Sequence, residues 1–250
     1  TKAEPNADGS YAITGQKIFI SAGEHDMAEN IVHIVLARLP GAPKGTKGIS
    51  AFIVPTDTPG FSVGRKLKKM GNNSSDTAEL VFDDVRIPVR HTIGEEGRGF
   101  HMQMAQFQDE RLWITYMAVT GARRAIDRTK EYLHMREAFG KPLMANQYIQ
   151  YTLAELVAEI DILQGFAHHT AERYVAGEDV VRAATVAKLQ SGRLSRKVAD
   201  ACVQFHGGMG YAEELWVARY FRDCRLGSIG GGADEVMLRV ITMLEGMGKR

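Results

Sequence analysis

Three stretches of the sequence carry residue types whose spacing could do chemistry. Gly207-Gly208-Met209-Gly210 lies between two helical patterns, where glycines let backbone N–H groups approach a phosphate closely. A plain helix–helix turn uses such glycines equally well. Arg136 and Lys141 flank Phe139-Gly140 at another helix end. That arrangement either offers countercharge to a pyrophosphate or sets a cation against a helix C-terminus. Glu110-Arg111 falls inside an apolar helical face with Phe107, Leu112 and Ile114. A carboxylate there is either paired with a neighbouring helix or held as a base with a raised pKa. His206 draws notice because it precedes the glycines. His168-His169 are adjacent, so their rings diverge on a helix, and no metal site is expected. Arg65-Lys66-Leu67-Lys68-Lys69 reads as a solvated strand edge in preference to an anion site.

Two kinds of scaffold must position these residues. The chain up to about residue 90 is β in character. Short runs rich in branched and aromatic residues occur at 11–14, 17–21, 31–36, 49–54 and 80–82. Turn chemistry separates them at Asp8-Gly9, Pro40-Gly41, Pro43-Lys44-Gly45 and Pro59-Gly60. Strands so spaced, with no helical stretch between them, predict a small antiparallel barrel or sandwich. From about Gly97 the period changes. Phe100, Met104, Phe107, Leu112, Tyr116 and Val119 open an amphipathic helix that runs to about Arg136. Further helices are expected over 146–176, 179–205, 213–222 and 233–248. Long helices with short connections imply an antiparallel bundle. The expected class is α+β, with a β domain at 1–95 and a helical bundle at 96–250.

Composition narrows the function classes. The 250 residues are 44% hydrophobic and 24% charged, which suits one large or two modest globular domains. With 31 basic against 30 acidic residues there is no electrostatic footprint for nucleic acid or an anionic membrane. No run approaches the roughly 20 apolar residues of a membrane span. Cys202 and Cys224 are too few for a disulfide scaffold, and a reducing compartment fits best. The chain opens at Thr1 inside a strand-like pattern, so residues are expected in front of it.

Taken together, these segments resemble the acyl-CoA dehydrogenase family over nearly the whole chain. Gln204, Gly207, Gly208, Gly210, Tyr211 and Glu214, followed by Arg219 and Asp223, stand at the spacing of the family's C-terminal signature. Arg136-Glu-Ala-Phe139-Gly140-Lys141-Pro142 looks like its Arg-x-x-Phe-Gly-Lys segment, and Gly15-Gln16-Lys17-Ile18-Phe19-Ile20-Ser21 like its flavin-facing strand. The resemblance implies a central β-barrel followed by a C-terminal four-helix bundle, with the family's N-terminal helical domain absent from this chain. It also implies FAD as cofactor. Phe19 and Ser21 match residues beside the isoalloxazine, where Phe19 can stack and Ser21 can donate a hydrogen bond. Arg136 and Phe139 match residues that contact FAD across a dimer interface, so a homo-oligomer, a dimer of dimers, is expected. Gln204, Gly207 and Gly208 match the stretch around the adenosine pyrophosphate. Ala233 and Glu235 stand where the family often has Thr and Gln.

Most members carry their base in a Tyr-Glu-Gly-Thr stretch before the last helix. Here that stretch is Gly230-Gly231-Gly232-Ala233, and the usual Glu position is Gly231. The isovaleryl- and long-chain-type enzymes instead place a Glu on the first bundle helix, just before an Arg, and Asp109-Glu110-Arg111 fits that pattern. The resemblance thus implies that Glu110 takes the pro-R α-proton of an acyl-CoA, while the Gly231 N–H and a ribityl hydroxyl polarise the thioester oxygen. The β-hydride goes to FAD, leaving a trans-2-enoyl-CoA, with electrons passed to an electron-transferring flavoprotein. Arg111 resembles a residue near the CoA part of the substrate, with an ion pair to a neighbouring helix as the alternative. A Glu placed at 231 would address the same α-carbon as Glu110. Gly230 and Gly231 remove a phenol and a carboxylate arm from the pocket wall, which suggests a branched acyl group. An acyl-CoA oxidase and a non-catalytic flavin-binding or assembly subunit are the competing readings. The cytoplasm is the expected location, and a mitochondrial matrix is also compatible.

Overall fold

The computed structural model describes residues 1–248. Its tertiary contacts divide the chain into two units, Thr1–Ala105 and the residues from Gln106 onward. The sequence puts the boundary at 95/96, whereas contacts keep the start of the first long helix with the sheet.

The first unit is one seven-stranded sheet. Its strands are β1 Lys2–Pro5, β2 Ser10–Ser21, β3 Val32–Arg38, β4 Ile49–Pro55, β5 Phe61–Lys66, β6 Thr77–Pro88 and β7 Thr92–Ile93. They lie in the order β5-β6-β2-β1-β3-β4-β7. The runs at 11–14 and 17–21 are thus a single strand, and β1 and β5 lie outside the runs that hydrophobic patterning marks. Two expectations need correction. The sheet is open among the described residues, not a closed barrel, because closure needs the outermost strands to pair and β5 and β7 do not. Nor is it wholly antiparallel, since β1 meets β3 in parallel, with Lys2 opposite Arg38.

Alternation explains the sheet's core, and two irregularities break it. Ala78, Leu80 and Phe82 of β6 face inward at even positions, then Val85 and Ile87 do so at odd ones. The switch falls where β2 and β6 slip register between Ile13 and Gly15, with Asp84 at φ 50°. An extra residue in one strand moves all later side chains to the other face. A second slip, between Lys17 and Ile20, matters for the site below. The basic run at 65–69 lies along and just after edge strand β5, where Lys66 meets Glu24 at 2.9 Å and Arg65 meets Glu79 at 3.5 Å.

The second unit is helical. Its elements are α1 Gly99–Met135, α2 Gln147–Val175, α3 Val181–His206, α4 Gly208–Tyr211, α5 Trp216–Cys224 and α6 Asp234–Leu244. A short hairpin, β8 Glu137–Ala138 with β9 Lys141–Pro142, joins α1 to α2. Val119, Ala122, Ile126 and Leu133 of α1 recur every three to seven residues, which keeps them on one helical face. They share a core with Leu153, Leu156, Ile160 and Leu163 of α2, with Leu194, Val198, Cys202 and Phe205 of α3, and with Val217 of α5. The Asn146 side chain starts α2 by accepting the Tyr148 N–H at 3.0 Å. At Gly192 of α3 a Cβ would stand 2.6 Å from the Gly227 carbonyl oxygen. Only a glycine lets the chain between α5 and α6 lie so close to α3.

Candidate active site

The signature residues fall in three places. The first is the bulge in β2. Ile18 and Phe19 together face the single residue Glu79 between Lys17, opposite Leu80, and Ile20, opposite Ala78, so the strand carries one extra residue. Phe19 has φ 63°, a left-handed conformation that costs a bulky residue energy. Its side chain is 72% exposed, so no burial in this unit repays that strain. The bulge re-aims an aromatic ring outward, a device common beside binding sites. Ser21 follows on the same strand, exposed and opposite Thr77.

The second place is the far end of the helical unit. A cavity of about 600 Å³ there is lined by Arg136, Ala138, Tyr148, Gln204, Gly207 and Gly208 among others. Gly207 has φ 59° and ψ −139° and ends α3, so a side chain at this position would be strained. Nothing lies within 4 Å of where a Cβ would stand at Gly207 or Gly208, so both backbones are open to a ligand. Behind them His206 is buried, stacked on Tyr132 with ring centroids 4.2 Å apart and edge-on to Trp216. Its Nδ1 donates to the Cys202 carbonyl at 2.7 Å, and burial holds its pKa below the usual histidine value. A neutral ring so fixed is a rigid floor for the glycine turn. Phe139 is not in this cavity. It stands at the tip of the β8–β9 hairpin with φ 55°, its side chain wholly exposed.

The third place joins α1, α3 and the segment before α6. Glu110 is half-buried on α1, and Ile114 lies one turn further along the same face. At Gly231, φ 66°, a Cβ would come within 2.6 Å of Ile114 Cδ1 and 3.9 Å of Lys188 Cε. Gly231 therefore stands over the turn of α1 next to Glu110. Gly230 is backed by Leu226, and an added Cβ would meet that side chain at 3.3 Å. Arg111 is buried, with its Nη1 donating to Thr185 Oγ1 at 3.0 Å and its guanidinium 5.4 Å from the Phe107 ring centroid. Burial lowers its pKa, and the Glu110 charge opposes that shift. Its Nε is buried without a hydrogen-bond partner. Lys188, fully buried on α3, donates to the Gly232 carbonyl.

Sequence patterning passed over Lys188 and gave Ile114 no role beyond an apolar face. Their one signal is a lysine set among Ala184, Ala187 and Ser191 on the small-residue face of α3. His168, dismissed as a ligand, hydrogen-bonds Tyr116 at 2.7 Å.

Comparison with known proteins gives matches in both halves of the chain. Residues 97–244 match the family model for the acyl-CoA dehydrogenase C-terminal domain, and residues 1–85 match that for the middle domain. A short-chain specific acyl-CoA dehydrogenase from Megasphaera elsdenii is 37% identical over 96% of this chain and 61% of its own length. A mitochondrial long-chain specific enzyme from Sus scrofa is 37% identical over 94% of this chain and 54% of its own. The structure of butyryl-CoA dehydrogenase from Megasphaera elsdenii superposes with a TM-score of 0.91 at 36% identity, covering 98% of this chain and 63% of that one. A glutaryl-CoA dehydrogenase from Mycobacterium smegmatis, solved with FADH2, gives 0.87 at 28% identity over 98% of this chain and 61% of that one. The chain thus spans less than two thirds of the length of these relatives.

Proposed function

The chain belongs to the acyl-CoA dehydrogenase family, and from that premise we propose that the whole protein desaturates an acyl-CoA thioester between Cα and Cβ. FAD is its cofactor, and an electron-transferring flavoprotein receives the electrons. The observation that carries this reading is the meeting of Gly231 with the turn of α1 that follows Glu110. Ile114 lies one helical turn from Glu110, which supports reading Glu110 as a proton acceptor that works with the side-chain-free Gly231 peptide.

The residues present fit FAD. The open glycine turn beside Arg136 and Gln204 suits a pyrophosphate, because a Cβ at Gly207 or Gly208 would project into free space that the ligand needs. Phe19 offers an exposed aromatic face and Ser21 an exposed hydroxyl, both suited to a flat heteroaromatic ring. FAD, when bound, would supply the acceptor for the β-hydride. Everything else is work for the chain itself. Glu110 removes the α-proton. The Gly231 N–H donates to the thioester oxygen and stabilises the negative charge that grows on it as the proton leaves. Arg111, buried and held by Thr185 Oγ1, keeps a cation beside Glu110. Ile114, Leu226 and Ile229 give the acyl chain apolar surface; the last two are 44% and 55% exposed in this chain alone. Anaerobic addition of acyl-CoA to the full-length protein should bleach the flavin band. A holoprotein whose flavin stays oxidised with every acyl-CoA tried would instead support the non-catalytic reading.

Phe139 extends the proposal to assembly. A fully exposed phenylalanine at a strained hairpin tip is poor design for a free monomer. We assign Phe139 and Arg136, together with the glycine turn that shares the Arg136 cavity, to an FAD site completed by a second copy. FAD should therefore copurify only with a dimer or larger species, as read by sedimentation with detection at the flavin wavelength. Flavin travelling with a monomer would overturn the assignment.

A further inference from the structure

Gly230-Gly231-Gly232 has no side chains with which to fix itself, and glycine loses more conformational freedom on ordering than any other residue. Gly231 and Gly232 both lie at positive φ, 66° and 109°. A donor useful for catalysis must be held in place before the charge develops, so something outside the loop has to hold it.

Lys188 is the group that does so. It rises from α3, is fully buried, and donates its ammonium to the Gly232 carbonyl. Its Cε lies under Gly231, 3.9 Å from the position of an added Cβ. An isolated buried charge costs several kcal/mol in a protein interior. Burial duly pushes the Lys188 pKa down, the nearby Asp234 opposes that shift, and Arg111 adds to it. Asp234 is already shared with Arg193 at 3.8 Å and Arg196 at 3.6 Å. The loop therefore rests on a locally cationic floor. A leucine or methionine would fill this space without the charge, so packing alone does not account for a lysine here.

We propose that Lys188 is a positioning residue for the Gly231 peptide. By fixing the Gly232 carbonyl, two peptide units beyond the one that carries the Gly231 N–H, it restricts the glycine turn and so aims that N–H at the thioester oxygen. This rests on the dehydrogenase reading above for the identity of the ligand, but not for the anchoring itself.

The test compares full-length holoprotein with Lys188→Met, Lys188→Gln and Lys188→Arg. The first measurement is hydrogen exchange of the 229–237 segment without substrate. The second is the red shift of bound cinnamoyl-CoA, whose absorption follows polarisation of its carbonyl. The third is anaerobic flavin reduction by acyl-CoA. In the Met and Gln variants, loop exchange should rise and flavin reduction fall, each roughly tenfold, with FAD retained and most of the red shift lost. Acyl-CoA affinity should change by no more than about twofold, and Lys188→Arg should restore part of the red shift. A neutral variant with wild-type exchange and red shift overturns the proposal. So does a pair of neutral variants that fail to fold beside an Arg variant matching wild type, since Lys188 would then serve stability alone. If the wild-type flavin is bleached by no acyl-CoA, the dehydrogenase reading fails, and loop exchange still decides whether Lys188 holds the loop.

Discussion

Glu110→Gln should slow flavin reduction by about 10²–10⁴-fold, the range expected when a positioned general base loses its ability to accept a proton. The substitution keeps the shape and hydrogen-bonding reach of the side chain, so FAD content and acyl-CoA affinity should stay within about threefold of wild type. Stopped-flow reduction under anaerobic conditions reads the chemical step directly. A Gln variant that reduces at the wild-type rate would remove Glu110 from the mechanism. Position 231 offers the natural rescue, because a carboxylate there would address the same carbon, but the structure alters that expectation. Gly231 lies at φ 66°, and a Cβ would stand 2.6 Å from Ile114 Cδ1. Glu110→Gln/Gly231→Glu should therefore recover little activity by itself. Adding Ile114→Ala should improve the recovery by making room for the new side chain.

The helical half was legible because its period is long and uninterrupted. The apolar face from Val119 to Leu133 and the run from Ile149 to Leu163 fix both the existence of α1 and α2 and the face each buries. The sheet was less so. β1 is a four-residue strand containing Pro5 and shows no apolar alternation, and β5 alternates only over Phe61-Ser62-Val63-Gly64 before Arg65-Lys66, too briefly to stand out. Whether a sheet closes depends on edges finding each other across the fold, and a period-two pattern is silent on that. The site divides along the same line. Gln204, Gly207 and Gly208 cluster at the junction of α3 and α4, and their spacing alone marks them as a unit. The contact of Ile114 and Lys188 with Gly231 joins residues far apart in sequence, and only packing reveals it. The bulge at Phe19 falls between these cases. The motif marks the residue, while its left-handed backbone and outward ring come from a register slip that no residue type announces.

Substrate choice should follow from the same contact. The two relatives compared by sequence are named for short and for long chains, so their names do not decide it. Gly230 and Gly231 stand where a phenol and a carboxylate arm are usual, but the space at 231 is not simply vacant. Ile114 Cδ1 stands 2.6 Å from the Cβ position, too close for a Cβ to fit unless it moves. An isoleucine methyl there replaces a long polar arm with a short apolar stub on the wall beside the reacting carbons. A methyl branch near Cβ fits such a wall, whereas a straight chain leaves part of it without contacts. Isovaleryl- or citronellyl-CoA should therefore show a kcat/KM above that of straight chains of equal length. One methyl in an apolar pocket is worth about 1–3 kcal/mol, so the advantage should be roughly 10- to 200-fold. Ile114→Phe should reduce it by filling the wall, while kcat for a straight short chain changes little. A panel in which butyryl-, octanoyl- or palmitoyl-CoA outperforms every branched substrate would rule the preference out. A preference that survives Ile114→Phe would locate it elsewhere than in the wall beside Gly231.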